Sequence, residues 1–172
     1  MIKKEIQHYN ICSNVYNQAI KQGFTALQST IVANRYQDSE NISALINPSL
    51  SLIEKPSHLT DCEKASQRIV KAIKENSKIG ILTDYDVDGV TSHAILFFAL
   101  RDFFKVNEEN ISSFIGHRID DGYGISQGLV DKILAHESLP DIIITADCGS
   151  SDEKRISQLK QAGIDVIVTD HH

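Results

Sequence analysis

Three short apolar runs in the second half of the chain each end abruptly in ligand-type side chains, and this pattern leaves few folds open. Ile79 to Leu82 leads into Asp84, Asp86, Asp88 and Gly89, and Val90 to Phe104 follows with helical apolar spacing. Asp141 to Thr145 leads into Ala146, Asp147, Cys148 and Gly149, and Val166 to Thr169 leads into Asp170, His171 and His172. Runs this short and this apolar read as strands buried on both faces, which is the habit of parallel sheets. From Ile79 onward the chain alternates: strand Ile79–Thr83, helix Val90–Phe104, strand Ile111–Ile115, helix Ser126–Glu137, strand Ile142–Thr145, helix Asp152–Ala162, strand Asp165–Thr169. The expected class is α/β, a mostly parallel sheet with helices on both faces, preceded by an N-terminal helical segment. In such a sheet the carboxyl ends of the strands share one edge, so carboxylates and imidazoles distant in sequence converge there.

The spacing of Asp84, Asp86 and Asp88 ahead of Gly89 also occurs in calcium loops, but an EF-hand needs a Glu at the twelfth position and a helix in front. Counting from Asp84, the twelfth residue is Ile95, and a strand precedes. An aspartyl-phosphate site would make Asp84 or Asp86 a covalent nucleophile supported by a later Lys. The groups that follow are instead Asp and His, whose oxygen and nitrogen donors suit Mn²⁺ or Mg²⁺. The alternative use of these aspartates is local: Asp86 and Asp88 as turn caps, and Asp147 as a helix N-cap. Acids packed side by side repel one another unless cations compensate, which favours ligation.

The set Asp84-Tyr-Asp-Val-Asp-Gly89, Ala146-Asp-Cys-Gly149 and Asp170-His-His172 resembles the DHH phosphoesterases, whose domain is Rossmann-like. Within them it resembles the RecJ-like single-stranded-DNA exonucleases. That closer likeness rests on Ala33-Asn-Arg35, on Asn47-Pro48 followed by Leu59 and Ala65, and on His117-Arg118 followed by Asp121-Gly-Tyr-Gly124.

The resemblance implies metal ligation by Asp84, Asp86, Asp88, Asp147 and His171, with Asp170 as the carboxylate that orients them. It implies a catalytic set of Asp86, Asp88, Asp147, His171 and His172, two Mn²⁺ or Mg²⁺ ions, and Asp147 as the ligand shared between them. Arg118 and His172 would meet the scissile phosphate. The implied reaction is 5′-to-3′ exonucleolytic hydrolysis of single-stranded DNA in repair and recombination, with a single-strand-binding protein as a further partner. The family also includes members that cleave short oligonucleotides, cyclic dinucleotides or pyrophosphate, and a binding fragment without activity is a rival of another class. One departure stands out: where family members carry a His four residues before the second Asp, this chain has Leu82. Asp84 then takes its place or supports the ligands from behind. The family's further Asp-bearing motif and second domain have no counterpart in the sequence, so an incomplete catalytic domain at 61–172 behind a helical connector at 1–60 is expected, with little activity alone.

The charge of −6 is unevenly spread. Residues 1–78 hold ten Lys or Arg against seven acids, and residues 79–172 hold seven against sixteen. Bound divalent ions would offset part of the second excess, so the balance permits a nucleic-acid partner without indicating one. No apolar run has the length of a membrane span, and no apolar signal core follows Met1, so a cytoplasmic protein is expected. The cysteines Cys12, Cys62 and Cys148 follow no disulfide or zinc spacing. In the first half, Ser13 is expected to cap a helix running to Gly23, Thr25–Gln37 to form a second helix, and Leu45, Leu50 and Leu52 to anchor the following loop. Thr60 with Glu63 reads as a capping box opening a helix whose outer face carries Lys64, Arg68, Lys71 and Lys74.

Overall fold

A computed structural model describes residues 10–36, 42, 44, 47 and 49–171. The chain divides into two compact units, Met1–His58 and Leu59–His172.

In the first unit, α1 (Ser13–Lys21) and α2 (Ala26–Arg35) enclose a small core of Val15, Ala33 and Ile42. The capping box sits at α2: the Thr25 hydroxyl accepts from the Gln28 amide, and the Gln28 side chain accepts from the Thr25 amide. Ser13 is already the first residue of α1, and Cys12 precedes it without a side-chain cap. Leu50 and Leu52 do not anchor a core: they lie on a single 3₁₀ turn, 86% and 51% exposed, because so short a turn presents no second face to bury. Leu45 and Pro48 lie outside the described residues.

The second unit opens with α3 (Cys62–Lys74). The expected Thr60 cap is not formed; Asp61 is the N-cap residue, in a left-handed conformation (φ 57°) that turns the chain into the helix without a side-chain bond. Beyond it, β1 (Ile79–Thr83), β2 (Ile111–Ile115), β3 (Ile142–Ala146) and β4 (Asp165–Ile167) form a parallel sheet in the order β2-β1-β3-β4. Helices α4 (Val87–Phe98), α5 (Gln127–Leu134) and α6 (Glu153–Gln161) connect them. Side chains alternate across the sheet as strand geometry requires. Leu82, Phe114 and Ile143 meet Val130, Ile133 and Leu159 of α5 and α6 on one face. On the other face Ile79, Ile81, Ile142 and Ile144 meet Ala72 of α3, with Leu96 and Phe97 of α4 against them. Helices therefore cover both faces.

Several element boundaries differ from expectation; α5, for one, ends at Leu134 rather than Glu137. Helix α4 begins at Val87, because Asp86 caps it, and gives way at Ala99–Phe103 to a π turn rather than continuing as α-helix to Phe104. Strand β4 stops at Ile167, because Thr169 leaves the ladder: its hydroxyl donates to the Thr145 carbonyl and its amide to the Thr145 hydroxyl. No helix among the described residues is long and apolar enough to cross a membrane.

Candidate active site

The sheet order creates the site. From β1 the chain crosses outward to β2, and from β3 it crosses the opposite way to β4, so a crevice opens between the carboxyl ends of β1 and β3. This switch point is where open α/β sheets place ligands. The register pairs Thr83 with Ala146, and the next residue on each strand is an aspartate, Asp84 and Asp147.

Asp84 is buried, at 5% exposure, and its Oδ1 accepts from the Tyr85 amide at 2.7 Å. Burial pushes its carboxyl above the ordinary range; the amides of Tyr85 and Gly124 oppose that, and the charges of Asp86 and Asp147 add to it. Asp86 acts as the N-cap of α4, its Oδ1 accepting from the Gly89 amide at 3.0 Å. The capping alternative weighed for Asp86 is thus realised, through one of its two carboxylate oxygens. Asp88 lies in the first turn of α4 rather than on the preceding loop. Gly89 makes the turn possible, since a Cβ there would overlap the Asp84 carbonyl oxygen.

Asp147 is not a helix cap. It holds a left-handed backbone (φ 65°), uncommon for a residue with a side chain, fixed by its amide donating to the Thr169 carbonyl at 3.0 Å. Its Oδ1 lies 2.9 Å from Nε2 of His171. Asp170 accepts through Oδ2 from the Ser150 amide and through Oδ1 from the His171 amide, so it ties the segment after β3 to the segment after β4. Asp88, Thr91, Ser92, Asp147, Asp170 and His171 line a cleft of about 410 Å³. Cys148 points into the core, donating its thiol to the Leu82 carbonyl, and burial with the surrounding aspartates pushes that thiol up to about 12. Leu82, standing where family members carry a His, is fully buried in the same core.

Among the described residues, no group of three His, Cys, Asp or Glu side chains closes around one point to hold a metal ion. The donor chemistry nevertheless fits a hard divalent cation: Asp84, Asp86 and Asp147 load one sheet edge with like charge, beside the imidazole of His171. His172 lies outside the described residues.

Arg118 does not line the cleft. It stands on the loop after β2, its guanidinium 5.9 Å from the Tyr85 ring centre. Tyr85 in turn lies against Tyr123, ring centres 5.1 Å apart. This loop is held by two acids to which the sequence assigned no role, Asp121 of the Asp-Gly-Tyr-Gly stretch and Asp152. Asp121 accepts from the His117 amide and the Ser126 hydroxyl, and Asp152 accepts from the Ile125 amide. The hydrogen bonds that hold Asp121 also keep its carboxyl below the ordinary range, the Ser126 hydroxyl most of all. Gly124, at φ +78°, packs so closely on Asp152 that a Cβ would lie 2.7 Å from its Oδ2. The one sequence signal for these residues was position: Tyr85 falls between two site aspartates, and Asp121 and Tyr123 belong to the Asp-Gly-Tyr-Gly stretch.

A parallel sheet with acids and an imidazole at its switch point defines a class of α/β ligand-binding domain. Residues 78–172 match the DHH family, N-terminal domain, and the chain belongs to that family. It is similar to the single-stranded-DNA-specific exonuclease RecJ of Escherichia coli, 37% identical over 114 residues that make up 66% of this chain and 19% of that protein. The protein of the same description from Thermus thermophilus is 32% identical over 74% of this chain and 17% of its own length. Among solved structures, exonuclease RecJ bound to manganese aligns with a TM-score of 0.59 and 30% identity, over 70% of this chain and 29% of that one. The chain thus spans about a fifth of the length of these two relatives.

Proposed function

We propose that this chain is the N-terminal catalytic portion of a divalent-metal-dependent phosphodiesterase that removes nucleotides from the 5′ end of single-stranded DNA. The observation that carries the reading is the meeting of three motifs at one crevice: Asp84 and Asp86 after β1, Asp147 after β3, and Asp170 and His171 after β4. Membership of the DHH family and similarity to RecJ exonucleases support the proposed reaction class and strand preference. Manganese, found with a related exonuclease structure, is the proposed cofactor, and Mg²⁺ has the same ligand preferences.

Asp84, Asp86, Asp147 and His171 would hold the ions, with Asp88 across the cleft and Asp147 as the shared ligand. When bound, they supply charge neutralisation at the phosphoryl oxygens and acidity for the attacking water. The chain's own groups do the positioning. Asp170 fixes the backbone that carries His171, and the Thr169 carbonyl fixes Asp147. Arg118 brings a planar donor fork suited to a phosphate oxygen, and His172 would join it there. We assign 61–172 to the catalytic domain and 1–60 to a helical connector. Hydrolysis by these residues alone is expected to be slow, because the chain spans about a fifth of the length of the exonucleases it resembles. Action in the cytoplasm, in repair and recombination and beside a single-strand-binding protein, extends the same reading.

The test compares the 172-residue chain with a form lengthened to match its relatives, using 5′- and 3′-labelled oligonucleotides with Mn²⁺. The long form should release the 5′ label first and prefer single strands, and Asp147→Asn should lower its rate by at least about a hundredfold, as loss of a group central to charge stabilisation does. Metal-independent hydrolysis, or full activity in Asp147→Asn, would overturn the reading.

A further inference from the structure

Beside the carboxylate edge stands an aromatic platform that nothing in the ligand set uses. Tyr123 is 71% exposed although it is held on a well-braced loop between two glycines at positive φ, Gly122 (+70°) and Gly124 (+78°). One side of its ring meets Tyr85, at an interplanar angle of 35°. Arg118 approaches the Tyr85 ring as well, so a cation and two aromatic rings are gathered in one cluster. The cluster is joined to the crevice by backbone: Tyr85 lies between Asp84 and Asp86, and the amide of Gly124, the residue after Tyr123, helps to hold the Asp84 carboxyl down against the effect of burial.

We propose that Tyr123, backed by Tyr85 and flanked by Arg118, is a stacking subsite for an unpaired nucleobase next to the phosphate held at the crevice. The inference rests on the reading of that crevice as a phosphodiester site and deepens it, by assigning the preference for single strands to a surface. An aromatic face accepts any base, because every base has a π face, and Arg can add a second planar contact. A base inside a duplex is stacked on both sides and offers no free face, and one at a duplex end is still held by its pairing partner, so the platform favours unpaired bases without reading sequence.

The test needs no hydrolysis. The 172-residue chain is titrated, without divalent ions, with a 3′-labelled, 5′-phosphorylated thymidine oligonucleotide and with a second one of equal length whose 5′ bases are replaced by abasic sugars. Both carry the same phosphates. Binding of the base-bearing strand should be on the order of tenfold tighter, the scale of one base–aromatic stack. Tyr123→Ala should erase that difference, while Tyr123→Phe, which keeps the ring, should preserve it. Equal binding of the two strands, no detectable binding of either, or an unchanged difference in Tyr123→Ala each overturns the subsite, whatever the long form does to DNA. A base preference that depends on Tyr123 supports the subsite even if the long form proves inactive, so the two readings fail separately.

Discussion

Asp84 carries the electrostatic tension of the site, since it is buried and faces the charges of Asp86 and Asp147. Its carboxyl titrates above its ordinary value, so the ionised form weighs against folding at neutral pH, and that cost shrinks as pH falls below the folded pKa and is gone below the ordinary value. Asp84→Asn, whose amide oxygen can still accept from the Tyr85 amide, should therefore melt higher than the wild type at neutral pH without metal. The two should converge in acid, which thermal melts across pH will show; a wild type that melts higher at every pH would contradict the cause assigned to the shift. The candidate aspartates were legible in the sequence because their spacing survives folding unchanged. The bond from His171 to Asp147 was not, since it depends on which strands become neighbours. Nor was the contact of Tyr85 with Tyr123, which joins two loops far apart along the chain.

At the scale of elements, the turn from β1 into α4 and the loop from β2 to α5 decide whether the site is assembled. Gly89→Ala should destabilise by about 1–3 kcal/mol, the usual cost of overpacking, because the opposing atom is backbone and has little room to yield. Chemical denaturation will measure it, and an unchanged midpoint would mean that the turn can open. The loop depends on Asp121, whose side chain is only 3% exposed and accepts from an amide and a hydroxyl. Removing a charged acceptor from such bonds costs about 1.5–3 kcal/mol, so Asp121→Ala should lower stability by roughly that amount. Since its carboxyl titrates below the ordinary value, this contribution is present above that value and fades as pH falls through the folded pKa; wild type and variant should therefore approach one another in acid. Helix starts were the least legible feature. Thr25-x-x-Gln28 and Thr60-x-x-Glu63 carry the same signal, yet only the first forms the box, because Asp61 takes the cap position of α3 in a left-handed turn.

For the whole molecule, the strand and helix alternation fixed the class because strands covered on both faces are continuously apolar. The order β2-β1-β3-β4 was beyond it, since alternation says nothing about which side of β1 receives β3. That order brings Asp84, Asp86 and Asp147 to one edge, and the edge should answer to cations. Mn²⁺ should raise the melting temperature of the chain, with a gain of about 2.7 kcal/mol at a hundred times its Kd by mass action. The gain should vanish in a form carrying both Asp86→Ala and Asp147→Ala. A shift that persists in this double variant would place the ion elsewhere.

The lacing between the ends of β3 and β4 has a further consequence. Thr169 bonds to Thr145 through both its amide and its hydroxyl, the Asp147 amide bonds back to the Thr169 carbonyl, and the Ser150 amide to Asp170. Segments about twenty residues apart are thus locked into one cooperative opening unit. The amides of Asp147, Ser150 and Thr169 should exchange with solvent deuterium at a common opening free energy, and Thr169→Val should release all three together. A molecule that pulls His171 aside must therefore loosen Asp147 with it, so the two motifs engage or let go as a single latch.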